Sequence, residues 1–301
     1  FPAWKRWAEW NGRYRDDMRC FLKGDPNMAR IAAQRMIGSP DLYDPVYRGG
    51  NASVNFITCH DGFTLYDLYS YNQKHNEANG WGNTDGFDDN NSWNCGQEGD
   101  TDDEAILSLR WKMIKNACTV LMCSRGTPMF LSGDEFGDTR YGNNNPYCQD
   151  NEISWLDWSL LEKNQNIFDF FRFMIAFRME HPAIRKDLEP SYIGFPSMSL
   201  HGLVPWEPDA PESQYAACVL FAGYDEEKKQ EDLVYVAVNA HWNAAHLTLP
   251  DLPEGYRWKI AVNTGDPKQQ TFSAEEMPAA EKTPLLGERS VIIFVGEDLN
   301  L

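Results

Sequence analysis

The stretch Val54-Asn55-Phe56-Ile57-Thr58-Cys59-His60-Asp61-Gly62 decides how this chain is read. Residues 54–59 are apolar and β-branched enough for a strand, and the run ends on a His-Asp pair followed by glycine. In parallel β/α proteins, functional groups gather at the C-terminal ends of strands, which makes His60 and Asp61 candidates by position. A second junction of the same kind follows. Pro128-Met129-Phe130-Leu131 reads as a buried strand, and Asp134-Glu135 comes directly after it. Each pair also has a structural reading, because an Asp after a strand caps turns and helix starts.

Working outward, residues 15–24 read as a helix ended by Gly24. Residues 27–37 read as another, with Asn27 as N-cap and a stop before Gly38 and Pro40. After the His-Asp junction, residues 74–100 form a polar stretch rich in Asn, Asp and Gly, which reads as an unusually long structureless loop. Thr101 and Glu104 then have the spacing of a capping box. Ile106, Leu109, Met113, Ala117, Val120 and Leu121 continue at helical spacing through Cys123. A second Asn-rich loop, 142–151, and an amphipathic helix, 167–180, follow the second strand. Strands alternating with helices in this way indicate parallel β/α units.

The pattern changes after His181-Pro182. From about residue 197 the chain has short strands, at 215–221, 233–239, 258–263 and 290–295, and lacks a long helical repeat. Leu233-Val234-Tyr235-Val236-Ala237-Val238 reads as clean alternation, the mark of an antiparallel domain. The expected division is a β/α region over 1–189 and an antiparallel β-sandwich over 190–301, large enough to fold alone.

Composition narrows the function. The 301 residues are 42% hydrophobic and 24% charged, with a formal net charge of −18. That charge argues against a nucleic-acid partner, which needs clustered Lys and Arg. Without a run of about 18 apolar residues, no membrane span is expected. Seven cysteines without CxxC spacing point to reduced thiols and a cytoplasmic location. Aromatic residues make up 13% of the chain, and for any single ring the core is the expected place. Asp85, Asp88, Asp89 and Asp102 do not match the spacing of a calcium loop and read as a solvated acidic run, so no metal and no cofactor are expected. Lys74, Asn76, Asn143, Asn144 and Asn145 have two readings: their polar groups suit sugar hydroxyls, and Asn also tolerates turn backbone.

Taken in order, the short motifs resemble a known family. Phe56-Ile57-Thr58-Cys59-His60-Asp61-Gly62 is similar to the last signature region of the α-amylase superfamily, glycoside hydrolase family 13. Lys74-His75-Asn76-Glu77-Ala78-Asn79-Gly80, Asn83-Thr84-Asp85-Gly86, Gly126-Thr127-Pro128-Met129, Gly133-Asp134-Glu135 and Trp155-Leu156-Asp157-Trp158 resemble its isoamylase and glycogen-debranching branch. Residues 142–151 do as well, and Phe1-Pro2 with Glu9-Trp10-Asn11 resembles the segment after the fifth barrel strand.

The resemblance implies an α/β fold: the C-terminal portion (strands 6–8) of a (β/α)8 barrel, then an antiparallel β-sandwich. It assigns 7–11 to strand six, 54–59 to strand seven, 101–124 to helix seven and 127–131 to strand eight. It makes Asp61 the third catalytic carboxylate, holding ring hydroxyls without attacking, with His60 beside it on the same sugar. The nucleophile and acid of the family lie on strands four and five, which would precede Phe1, so the missing N-terminal part of the same enzyme is an implied partner. The parent enzyme would cleave α-1,6 branch linkages of glycogen or another branched α-glucan, and this chain alone would be inactive. The alternatives are a non-catalytic α-glucan-binding protein and an α-1,4-acting or transglycosylating relative.

Overall fold

Three short strands run parallel, β1 (Glu9–Trp10), β2 (Ser53–Phe56) and β3 (Thr127–Met129), with β2 in the middle. Trp10 faces Val54, and Phe56 faces Met129. The computed structural model describes residues 7–44, 46–49 and 52–300; the Phe1-Pro2 motif lies outside them. The middle strand is shorter than the apolar run that announces it, because the backbone leaves the ladder for side-chain partners. Beyond Phe56 the Ile57 carbonyl accepts from Arg19 Nε at 2.8 Å, and Thr58 turns its hydroxyl to Asp134.

The connections are helical. Helices α1 (Gly12–Lys23) and α2 (Ala29–Met36) lead from β1 to β2. Helices α3 (Leu65–Leu68) and α4 (Glu104–Met122) lead from β2 to β3, and α5 (Ser159–Lys163), α6 (Gln165–Glu180) and α7 (Pro182–Arg185) follow. Their starts differ from the sequence reading. Asn11 caps α1 by accepting from Tyr14 N at 2.9 Å. Asn27 is not a cap: it sits at φ 63°, and α2 starts two residues later. Asp103, not Thr101, caps α4, accepting from Ala105 and Ile106 amides at 2.9 and 3.2 Å. A carboxylate is the better acceptor at the positive end of a helix, and Thr101 instead turns the preceding residue by accepting from Asp103 N.

Buried arginines hold the lower ends of these elements. Arg178 donates to the carbonyls of Met122, Ser124 and Gly126 at 2.6–2.8 Å, satisfying the end of α4 and the turn into β3. Gly126 itself lies at φ 120°, and a Cβ there would stand 2.7 Å from the Ser53 carbonyl. The close approach of α4's exit to β2 therefore requires glycine.

The C-terminal region is an antiparallel sheet in the order β4-β5-β6-β10-β8. Its strands are β4 (Met198–His201), β5 (Ala216–Asp225), β6 (Gln230–Asn239), β8 (Tyr256–Asn263) and β10 (Ser290–Asp298). A separate ribbon, β7 (Ala245–His246) with β9 (Leu285–Leu286), accompanies it. The antiparallel pairing is as expected, but the second layer is this two-stranded ribbon rather than a full sheet.

The run 233–238 is likewise not an alternation of core and solvent. Leu233, Tyr235 and Ala237 pack with Leu247, Leu249 and Leu286 around the ribbon. Val234, Val236 and Val238 face the other way, into the core formed with α1, α2, α4 and α6. Both faces are buried, so the strand is apolar throughout. One core thus crosses the expected division near residue 190. Asp232 reinforces the junction by bonding His181 Nδ1 at 2.6 Å and Ala183 N at 2.8 Å. Arg289 does the same from the other side: its guanidinium lies 4.4 Å from the Trp93 ring and 3.7 Å from the Trp242 ring. The sheet's inner face is a floor for the helices, which argues against the independent folding expected of residues 190–301.

Candidate active site

The middle strand of the parallel sheet delivers His60 and Asp61 to the surface, four and five residues beyond its end. The backbone around them is fixed from both sides. Arg19, buried, holds the Ile57 carbonyl, and Cys59 Sγ reaches the Asp61 carbonyl at 3.4 Å. Gly62, at φ 97°, donates its N–H to the Asn144 carbonyl at 3.0 Å. Between these anchors the two side chains are 67% and 60% exposed, with His60 Nε2 3.4 Å from Asp61 Oδ2. Trp10, on the neighbouring strand, sets its ring edge-on to His60 at 5.8 Å between centroids. Arg15 stands close by. Its bidentate bond to Asp16 holds its guanidinium above the ordinary value, and Asp61 adds to that. Sequence reasoning placed Trp10 in a family-like motif but assigned neither it nor Arg15 to the site, because nothing local shows that the neighbouring strand and the helix after it bring them beside His60 and Asp61.

A solvent-facing carboxylate with a neighbouring imidazole can accept hydrogen bonds from hydroxyl groups. A charged acceptor makes such bonds about twice as strong as a neutral one.

The two Asn-rich loops are close to this pair, but most of their amides are spent on each other. Asn76 Nδ2 donates to Asn144 Oδ1 at 2.8 Å, and Asn144 N donates back to Asn76 Oδ1 at 2.9 Å. Asn144 Nδ2 continues to Asn90 Oδ1 and the Phe87 carbonyl. Asn143 bonds Asn79 at 2.8 Å, and Asn145, partly buried, bonds Asp85 at 2.9 Å. Asn76, Asn143 and Asn144 are buried. They therefore form a loop-to-loop clip. Buried amides must find partners, and here each loop supplies the other's.

Gly86 completes the clip. It lies at φ 74°, and a Cβ would collide with Asn144 Oδ1 and stand 2.7 Å from Asn76 Nδ2. Residues 74–100 are accordingly an ordered set of turns with a short 3-10 helix at Glu77–Asn79, not a structureless loop. Lys74 is buried along its stem, and its ammonium pairs with the exposed Asp88 at 2.6 Å.

Asp134, at the second junction, has the opposite surroundings to Asp61. It is fully buried and accepts from the Thr58 hydroxyl, Leu65 N at 2.8 Å and Leu131 N at 3.2 Å. Burial pushes its carboxyl up to about 7, opposed by those bonds. It ties the exits of β2 and β3 to the start of α3. Among the described residues no three acidic, histidine or cysteine side chains converge as metal ligands, and none of the seven cysteines is paired.

Residues 199–289 match the family described as Isoamylase 1-3, C-terminal. Isoamylase 3, chloroplastic, of Oryza sativa subsp. japonica is 44% identical over 279 residues, 92% of this chain. The chain is similar to isoamylases over most of its length. A Glycogen operon protein GlgX homolog of Mycobacterium tuberculosis is 41% identical over 278 residues, 87% of the chain. The chain spans 34% and 39% of the lengths of these two relatives. Pullulanase from Bacillus acidopullulyticus superposes with a TM-score of 0.66 at 20% identity, over 96% of this chain and 30% of that one, a likeness of fold. It supports an α-amylase-type fold with a C-terminal β-sheet domain. Among the described residues no helix is long and apolar enough to cross a membrane.

Proposed function

We propose that this chain is part of a retaining glycoside hydrolase that cleaves α-1,6 branch linkages of glycogen or a related α-glucan. Its three parallel strands serve as strands six to eight of a (β/α)8 barrel within residues 1–189, and residues 190–301 are the antiparallel domain that shares a core with it. The observation that carries the reading is Asp61: an exposed carboxylate, beside His60, past the end of the central parallel strand. Retaining hydrolysis needs a nucleophile and an acid/base carboxyl about 5–5.5 Å apart, around an oxocarbenium-like transition state. Asp61 takes neither role. It accepts hydrogen bonds from ring hydroxyls of the sugar being cleaved, and those bonds tighten as charge develops on the ring. His60 holds the same sugar.

The nucleophile and acid/base come from the remainder of the complete protein. No cofactor takes part. Unpaired thiols support action in a reducing compartment such as the cytoplasm.

Reducing-end release from glycogen by the complete protein tests this. Asp61→Asn lowers kcat/KM at least about a hundredfold, roughly 2.7 kcal/mol of transition-state stabilisation. Near wild-type turnover by the variant would make Asp61 structural.

A further inference from the structure

A groove of about 740 Å³ opens between α3, the start of α4 and the loop after β3, and neither His60 nor Asp61 lines it. Its volume falls within the roughly 300–1,000 Å³ of sites that take a small ligand. Three rings line it: Tyr66 on α3, Trp111 on α4 and Tyr141 on the loop. Tyr66 and Trp111 meet at 5.2 Å with their planes 46° apart. Gly137 makes room for Trp111, since a Cβ there would stand 2.7 Å from the indole.

Tyr141 is the telling residue. It is 48% exposed, so core packing does not explain it, and it sits at φ 55°, a region that a bulky side chain disfavours. The loop is built to hold it there. Buried Asp67 accepts from the Thr139 hydroxyl at 2.5 Å and from the Arg140 and Gly142 amides at 2.9 and 3.4 Å. Strained backbone that the surroundings over-determine points to function at the side chain it presents.

The polar rim selects the ligand. Asp100 and Asp102 line the groove opposite a single cation, Lys163. The α4 N-terminus nearby is already occupied by Asp103, which removes a ready anion site. A phosphorylated ligand is therefore disfavoured, and among the described residues no third acidic, histidine or cysteine side chain joins Asp100 and Asp102 as a metal site would need. A neutral polyol uses both features: the C–H face of a pyranose packs on an aromatic ring, and its hydroxyls donate to carboxylates.

We propose that this groove binds a linear stretch of α-glucan and anchors the enzyme on its polymer. The substrate class rests on the function proposed above. The test uses the complete protein and its migration in native gels containing glycogen. Tyr141→Asn removes the ring while suiting the left-handed backbone, so the fold is retained. We expect its apparent affinity for glycogen to fall about tenfold. Its kcat on a short soluble branched oligosaccharide should stay within about twofold of wild type. Tyr141→Trp should keep glycogen retention, and the pair Asp100→Asn with Asp102→Asn should weaken it.

Unchanged retention in Tyr141→Asn overturns the site, and so does an equal loss of kcat on the short substrate, which would put Tyr141 in the reaction centre. If Tyr141→Asn fails to fold, the Asp100→Asn and Asp102→Asn pair decides alone, unchanged retention overturning the site. A complete protein that shows no debranching, yet loses its hold on glycogen in Tyr141→Asn, would sink the proposed reaction and leave the site standing.

Discussion

The ends of β2 and β3 place an aspartate in equivalent positions and treat it in opposite ways. Asp61 is 60% exposed beside His60, while Asp134 is fully buried under three donors. Both follow an apolar strand, and the local sequence around each is equally suggestive. The difference comes from what packs above them. Thr58 and the start of α3 close over Asp134, whereas Gly62 and the Asn144 carbonyl turn the chain so that Asp61 faces outward. A carboxylate at a strand end is thus a functional candidate only when the next element leaves it open.

Substitutions can break this comparison. Asp134→Ala should do the most damage to stability, since it strands a buried hydroxyl, a buried amide and a half-buried one. A loss of about 3–4 kcal/mol is expected, read from the urea midpoint. A loss below about 1 kcal/mol would show that the site tolerates water and is not a closed hub.

Gly86→Ala should cost less, about 2–3 kcal/mol, from the collision with Asn144 and the unfavourable φ. Because Gly62 hangs from the Asn144 carbonyl, the variant should also speed amide hydrogen exchange around 60–62. Unaltered exchange there would separate the clip from the Asp61 turn.

A pH series sharpens the contrast further. The Asp134 carboxyl is raised from 3.8 to about 7, so between those values the folded chain keeps a proton that the unfolded chain has released. The stability contributed by this group is therefore fully present below about 3.8 and is lost as pH rises to about 7. Asp134→Asn removes the titration, so the stability difference between wild type and variant should shrink from pH 4.5 to 7.5. A difference independent of pH would mean that Asp134 is ionised throughout.

Much of this was legible in the sequence. The strand, helix and junction order could be read from periodicity, and the motif series pointed to the isoamylase type that the relatives bear out. The Asn-rich loops were not legible, because whether an amide faces solvent or another loop depends on contacts such as Asn76 with Asn144, 68 residues apart. The Asp103 cap was obscured by a Thr101/Glu104 spacing that fits a capping box equally well. The run 233–238 misled for a related reason: apolar residues of different size imitate alternation when both faces are covered. Tyr141 was invisible, since nothing in its neighbours announces a positive φ.

Asp61 carries the smallest expected effect on stability and the central claim on function. Exposed, it should change the unfolding free energy by no more than about 0.5 kcal/mol on conversion to Asn. The decisive measurement sets that urea midpoint beside kcat/KM for debranching, in the complete protein. An unchanged midpoint with a loss of at least about a hundredfold in kcat/KM is the predicted result. An unchanged rate, or a rate loss accounted for by unfolding, would contradict the assignment of Asp61 to the reaction.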